Sequence, residues 1–199
     1  MSTSTPDATP SLAAFEPATR AWFTSTFDAA TPVQAAAWAA IGAGDHTLVI
    51  APTGSGKTLA AFLHAIDRLF RLRAQQPRMP GDGTGVLYIS PIKALGADVH
   101  RNLQVPLEGV NAQREQRGDP ALALSVAIRS GDTTSAERAR LLRRPPDILI
   151  TTPESLFLML TSKARDSLRD VHTVIIDEIH AVAGSKRGSH LALSLERLD

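Results

Sequence analysis

The stretch Thr47-Leu-Val-Ile50-Ala51-Pro-Thr53-Gly54-Ser55-Gly56-Lys57-Thr58, followed by Leu59-Ala-Ala-Phe-Leu-His-Ala-Ile66, decides how the chain is read. An apolar run predicts a strand, the glycine-bearing segment a loop, and the apolar periodicity after it a helix. A loop in that context turns its backbone N–H groups inward, where they cradle anionic oxygens. The helix start adds a partial positive charge. Thr53, Gly54, Ser55, Gly56, Lys57 and Thr58 are therefore candidate nucleotide-binding residues. Lys57 is expected to meet the β- and γ-phosphates of ATP, and the Thr58 hydroxyl to ligate Mg²⁺. Ala51 stands where the stricter pattern has glycine, at a position that mainly closes the loop. A chance match in a glycine-containing turn is the bland alternative, and the flanking strand and helix argue against it.

Downstream, His172-Thr-Val-Ile-Ile176 is a short β-branched run that predicts a buried parallel strand. It ends in Asp177-Glu178-Ile179-His180. A carboxylate at the end of a buried strand is costly without a partner. Mg²⁺ shared with Thr58 would supply one for Asp177. Glu178 can then polarise an attacking water. Read alone, Asp177 could equally be a helix cap and Glu178 a first-turn charge. The phosphate loop tips the balance, because the two motifs complete one chemistry.

With both motifs in view, the chain resembles the first RecA-like domain of a superfamily 2 helicase, Asp-Glu-Ile-His standing where the DEAD-box group has Asp-Glu-Ala-Asp. Further blocks resemble the large helicase-related (Lhr) family. These are Thr31-Pro-Val-Gln34-Ala-Ala-Ala-Trp38, Ser90-Pro-Ile-Lys93-Ala-Leu95, Arg129-Ser-Gly-Asp132-Thr133, Pro145-Pro-Asp-Ile-Leu-Ile-Thr-Thr-Pro-Glu154-Ser-Leu and Lys186-Arg-Gly-Ser-His-Leu-Ala-Leu-Ser-Leu-Glu-Arg-Leu198. The resemblance implies ATP-driven translocation on single-stranded nucleic acid, DNA favoured, in the 3′-to-5′ direction. It implies that Gln34 reads adenine, with Phe15, Phe23 or Phe27 stacking on the base. It implies strand-backbone contacts from Pro91 and Lys93, from Gly131 and Asp132, and from Thr152, Pro153 and Glu154. It also implies that His180 couples the nucleotide site to the rest of the motor. Bland alternatives stand beside these: a surface glutamine, plain turns, and Thr152 as a mere helix cap. In the resembled helicases another strand lies between the Asp-Glu strand and the phosphate-loop strand, and a second RecA-like domain supplies arginines to the ATP site. On that basis the 199 residues are expected to be an incomplete motor domain with little turnover of its own. Rival readings are an RNA-dependent ATPase and a nucleotide- and nucleic-acid-binding module that hydrolyses nothing.

Composition constrains the rest. The chain is 43% hydrophobic with a net charge of +1, so a packed core is expected and any nucleic-acid contact must be local. No cysteine is present, which excludes disulfides and thiolate metal sites within these residues. No apolar run approaches the ~20 residues of a membrane span. Residues 1–11 lack the character of a secretory leader and read as disordered, leaving 12–199 as one domain; a cytoplasmic protein is expected. Arg138, Arg140, Arg143 and Arg144 read as a solvated helix face, with contact to DNA the lesser alternative. No cluster of histidines suggests zinc.

Strands are predicted at 47–50, 86–89, 122–128, 148–150 and 172–176. Helices are predicted at 17–27, 32–41, from the phosphate loop to about 73, at 94–103, from Thr134 to 143 and at 153–160. A loop is predicted at 114–120. Strands alternating with helices predict an α/β fold with a doubly wound, mostly parallel sheet of the RecA-like type.

Overall fold

A computed structural model describes residues 12–91 and 93–198. The expectation for 1–11 lies outside the described residues, as do the side chains of residues 92–95. Two compact units emerge: residues up to Ala74 with Val105–Leu122, and Gln75–Gln104 with Ala123 onward.

The first unit is helical. It holds α1 (Pro17–Thr26), α2 (Pro32–Gly42) and nearly all of α3 (Lys57–Gln75). Thr31 caps α2 in a reciprocal box. Its hydroxyl accepts from Gln34 N–H at 3.2 Å, and Gln34 Oε1 accepts from Thr31 N–H at 3.0 Å. Pro32 sits at the first helical position, where a missing N–H costs nothing. Trp38 organises the core: Phe15 and Phe23 meet it edge-on at 5.0 and 5.4 Å, and its indole N–H donates to Ala60 O at 2.9 Å.

The second unit carries the sheet, built from β1 (Val86–Ile89), β2 (Val126–Arg129), β3 (Ile148–Thr151) and β4 (Thr173–Ile176). All pairs are parallel and the order is β2-β3-β1-β4. Leu87, Ile89 and Leu149 pack under α6 (Pro153–Leu160) and α7 (Lys186–Glu196). On the opposite face Gly96 of α4 (Lys93–Gln116) lies against Ile128 and Ile150. Helices on both faces make the sheet doubly wound, as expected. Asp147, 1% exposed at the start of β3, pairs with Arg78 and accepts from Ser125 N–H and Oγ–H at 2.9 and 2.7 Å. Helix α5 (Ser135–Arg143) opens with a capping box between Thr134 and Glu137.

Three expectations are corrected. Residues 45–50 form no strand, with Leu48 and Ile50 70% and 85% exposed. A strand is stabilised by the ladder it joins, and no strand among the described residues follows β4 to lie beside 47–50. Helix α4 runs to Gln116, through Pro106 and over part of the predicted 114–120 loop. Strand β2 begins only at Val126, because Leu122 N–H is taken by Asn111 Oδ1 at 2.9 Å.

Candidate functional site

The phosphate-loop part of the site lies in the first unit. Gly54 and Gly56 adopt φ of 83° and 87°, a region closed to most side chains, and this folds the loop over the start of α3. The α2 cap braces it. Thr31 Oγ1 donates to Ser55 O at 3.0 Å, and Gln34 Nε2 lies 3.5 Å from Gly56 O. A Cβ on Gly56 would stand 2.5 Å from Gln34 Nε2, so glycine is required for the fit as well as for φ. The Lys57 ammonium donates to Ala51 O and, at 2.7 Å, to Pro52 O. Ser55 Oγ is buried with no hydrogen-bond partner among the described residues. Thr58 is exposed one position into α3. These features suit a polyphosphate: turned backbone at a helix N-terminus, an orphan hydroxyl, and an ammonium whose carbonyl partners are exchangeable for phosphate oxygens.

Gln34 is 4% exposed, and its amide is already engaged by its own cap and by the loop. Among the aromatics considered for stacking, Phe15 and Phe23 are consumed by the core, whereas Phe27 is exposed.

The carboxylate part lies in the second unit. Asp177 directly follows β4, and its N–H continues the ladder to Ile89 O at 3.0 Å. Tyr88 is registered opposite Ile175. The pleat turns Ile175 and Asp177 to the same face, so the long phenol reaches the carboxylate. Tyr88 O–H donates to Asp177 Oδ2, while Oδ1 accepts from Glu178 N–H at 2.9 Å. Both carboxylate oxygens are thus oriented from within the chain. Burial, then the Asp177 hydrogen bond and the two acidic charges, pushes the Tyr88 phenol well above its usual range, so it remains a donor. Tyr88 was invisible to motif reading; the parallel register of β1 with β4 is the signal that finds it. Glu178 takes φ 48° and ψ 40°, left-handed for a residue with a Cβ, which sets its side chain apart from that of Asp177. His180 Nε2 lies 3.3 Å from Glu178 Oε2. No group of three or more potential ligands clusters among the described residues. The oxygen donors expected for Mg²⁺, the Thr58 hydroxyl and the Asp177 carboxylate, are hard ligands of the type that ion takes.

The expected strand-contact residues lie at the carboxyl ends of β1, β2 and β3. Arg187 ties two of these ends together, donating to Glu154 Oε1 at 2.6 Å and to Pro91 O at 3.0 Å. Burial raises the Glu154 pKa, but the Arg187 hydrogen bond and its allies win, leaving it below the ordinary value. Thr152 caps α6, its hydroxyl accepting from Ser155 N–H at 3.3 Å and donating to Ser155 Oγ at 3.2 Å. Gly131 and Asp132 form the turn after β2.

Residues 31–199 match the sequence profile of the DEAD/DEAH box helicases. The chain belongs to that family. It is 62% identical over 187 residues to the "Lhr helicase/uracil glycosylase" of Escherichia coli (strain K12), covering 93% of this chain and 12% of that protein. It is 49% identical over 178 residues to the "ATP-dependent helicase Lhr-Core" of Methanothermobacter thermautotrophicus, covering 89% of this chain and 20% of that protein. Among solved structures, the Mycobacterium smegmatis helicase Lhr "bound to ssDNA and AMP-PNP" superposes with a TM-score of 0.88 at 60% identity, over 95% of this chain and 23% of that one. The fold is therefore RecA-like, and the DEAD/DEAH family member described here spans a small part of these relatives' lengths. No helix among its described residues is long and apolar enough to cross a membrane.

Proposed function

We propose that this chain is the ATP-binding motor domain of an Lhr-type helicase that translocates on single-stranded DNA. The observation that carries the reading is the braced phosphate loop: two left-handed glycines and Lys57 at the start of α3, pinned by Thr31 and Gln34. The oriented Asp177–Glu178 pair is the complementary chemistry. The relative solved with ssDNA and AMP-PNP supports DNA over RNA and supports ATP as the nucleotide.

In this reading the loop N–H groups and Lys57 hold the β- and γ-phosphates. Thr58 and Asp177 are the oxygen donors for Mg²⁺, whose charge would neutralise the phosphate oxygens. Glu178 orients the attacking water and takes its proton. The water oxygen bonds to the γ-phosphorus as the bond to the β–γ bridging oxygen breaks, giving ADP and phosphate. To read the adenine edge, Gln34 would exchange its hydrogen bonds to Thr31 N–H and Gly56 O for the base, and Phe27 is the accessible aromatic for stacking. Pro91, Lys93, Gly131, Asp132, Thr152, Pro153 and Glu154 line the strand's backbone, and His180, beside Glu178, relays the state of the nucleotide.

Two variants of the full-length protein test this. Lys57→Ala should abolish hydrolysis and weaken ATP binding. Glu178→Gln should keep ATP binding while turnover drops by about 10²-fold or more, the range of a lost general base. Normal turnover in Lys57→Ala would refute the assignment. Equal loss of binding and turnover in Glu178→Gln would make Glu178 structural.

A further inference from the structure

The arginines of α5 do not all behave as a solvated face. Arg140, Arg143 and Arg144 are exposed as expected, but Arg138 folds back into the structure. Its Nη2 donates to Gly131 O at 3.1 Å, and its Nε–H is buried with no acceptor among the described residues. An orphaned guanidinium donor is costly, because it has lost water and gained nothing.

Beside it lies a hollow of about 300 Å³ lined by Arg129, Arg138, Ala139, Leu142, Ser162 and Lys163. Arg129 ends β2 and pairs in register with Thr151. Alternation from Leu149, which packs under α6, turns Ala127 and Arg129 to the α6 face. Lys163 comes from the turn after α6. Three cationic residues thus line one hollow with no carboxylate in its lining. No ion pair joins any of the three to a carboxylate among the described residues. Burial, and then the charge of Arg138, lowers the Arg129 pKa. Gathering like charges without a counter-charge is unfavourable unless an anion joins them.

The anion's chemistry follows from the donors. A carboxylate offers two oxygens and is satisfied by a single guanidinium fork. A backbone phosphodiester also has two free oxygens, but they stand on a tetrahedral centre, so donors arriving out of one plane, Arg138 Nε–H, the Arg129 fork and the Lys163 ammonium, can share them. Arg138 also holds Gly131, in the turn expected to meet the nucleic-acid strand. We propose that Arg129, Arg138 and Lys163 form a phosphate-binding subsite, occupied by a backbone phosphate of the bound single strand. The choice of the strand over free phosphate rests on the function proposed above; the subsite itself does not.

The test uses the 199-residue chain with ¹⁵N-labelled arginine. Inorganic phosphate and a dT₁₂ oligonucleotide are titrated separately at low chloride while the Arg138 Nε–H resonance is followed. Saturable shifts are expected with both probes, at lower concentration for dT₁₂. Arg129→Gln and Arg138→Gln should each weaken dT₁₂ binding, measured by anisotropy, by roughly five- to tenfold. Each should also flatten the slope of log affinity against log salt by about 0.7, the share of one single-strand phosphate. Arg138→Lys, which keeps charge without the Nε donor, should rescue only partly, and unchanged melting temperatures would show that the variants fold. A phosphate shift with dT₁₂ bound but Arg138 unmoved would refute the strand as the source. A chain that binds no dT₁₂ yet responds to phosphate would sink the nucleic-acid reading and leave the subsite standing. Normal dT₁₂ binding with no Arg138 response to either probe would overturn the subsite while leaving the proposed function intact.

Discussion

Tyr88→Phe isolates one hydrogen bond. The ring is 1% exposed and keeps its packing when only the hydroxyl is removed. What disappears is the donor to Asp177 Oδ2, one of the two restraints on that carboxylate; the other, from Glu178 N–H at 2.9 Å, remains. A hydrogen bond to a charged group contributes about 1.5–3 kcal/mol. Taking the lower end, because one restraint survives, the carboxylate loses roughly 1.5 kcal/mol of orientation, which corresponds to about tenfold in metal affinity. The assay is binding of a fluorescent ATP analogue as Mg²⁺ is titrated, with EDTA as the metal-free arm. The Mg²⁺ midpoint should rise about tenfold, while metal-free nucleotide binding stays within roughly twofold of wild type. A purely structural role for Tyr88 would lower the melting temperature and leave the Mg²⁺ midpoint in place. That result, or overlapping Mg²⁺ curves at equal stability, would refute the reasoning.

Gly56→Ala forces an alanine to φ near 87° and drives its methyl against Gln34 Nε2, so nucleotide affinity should fall tenfold or more, given about 1–2 kcal/mol for the left-handed conformation alone; wild-type affinity by calorimetry would show that the loop does not rest on Gln34. Arg78→Ala removes the guanidinium that pairs with the buried Asp147, and chemical denaturation should show a loss of about 1.5–3 kcal/mol, the range of a hydrogen bond to a charged group; a change under ~0.5 kcal/mol would mean that the Asp147 contacts that remain suffice. His64 packs edge-on to Phe15, and burial, against a weaker pull from Asp67, holds its pKa below 6.5. The unfolded chain therefore takes the proton first. His64's contribution is intact above pH 6.5 and is lost as pH falls through the lowered folded value. Melting temperature should decline over that window in wild type and less so in His64→Gln; equal slopes would show that burial is not tuning His64.

Much of this architecture is legible in residue patterns, and particular residues show why. Val86–Ile89 and Pro153–Leu160 fall where pattern alone puts them. A four-residue apolar run rich in β-branched and aromatic residues between turn residues has few other options, and Pro153 after a capping threonine marks a helix start. The Thr31 and Thr134 boxes are equally local, since each cap bonds a residue three positions away. Site residues carried by a motif were readable for the same reason. Tyr88, Arg187 and Arg138 were not. Their partners lie 89, 33 and seven residues away along the chain, and only register or tertiary packing brings them together.

The two largest departures share one cause. Helix α4 passes through Pro106 and Gly109, residues that usually weaken a helix, because Leu107 and Val110 are buried. At Gly109 a Cβ would stand 2.1 Å from the Trp22 indole, so the glycine that costs helix propensity is what lets the indole pack. Packing there overrides propensity in favour of structure. At 47–50 the balance runs the other way. Leu48, Val49 and Ile50 have every local reason to be extended and paired, yet nothing among the described residues offers them a ladder, and the segment stays irregular with Leu48 and Ile50 exposed. Helical hydrogen bonds close within four residues, so a helix needs only a surface to lie on. A strand's hydrogen bonds belong to its neighbours, so the same apolar run is a strand or not according to which other strand is present.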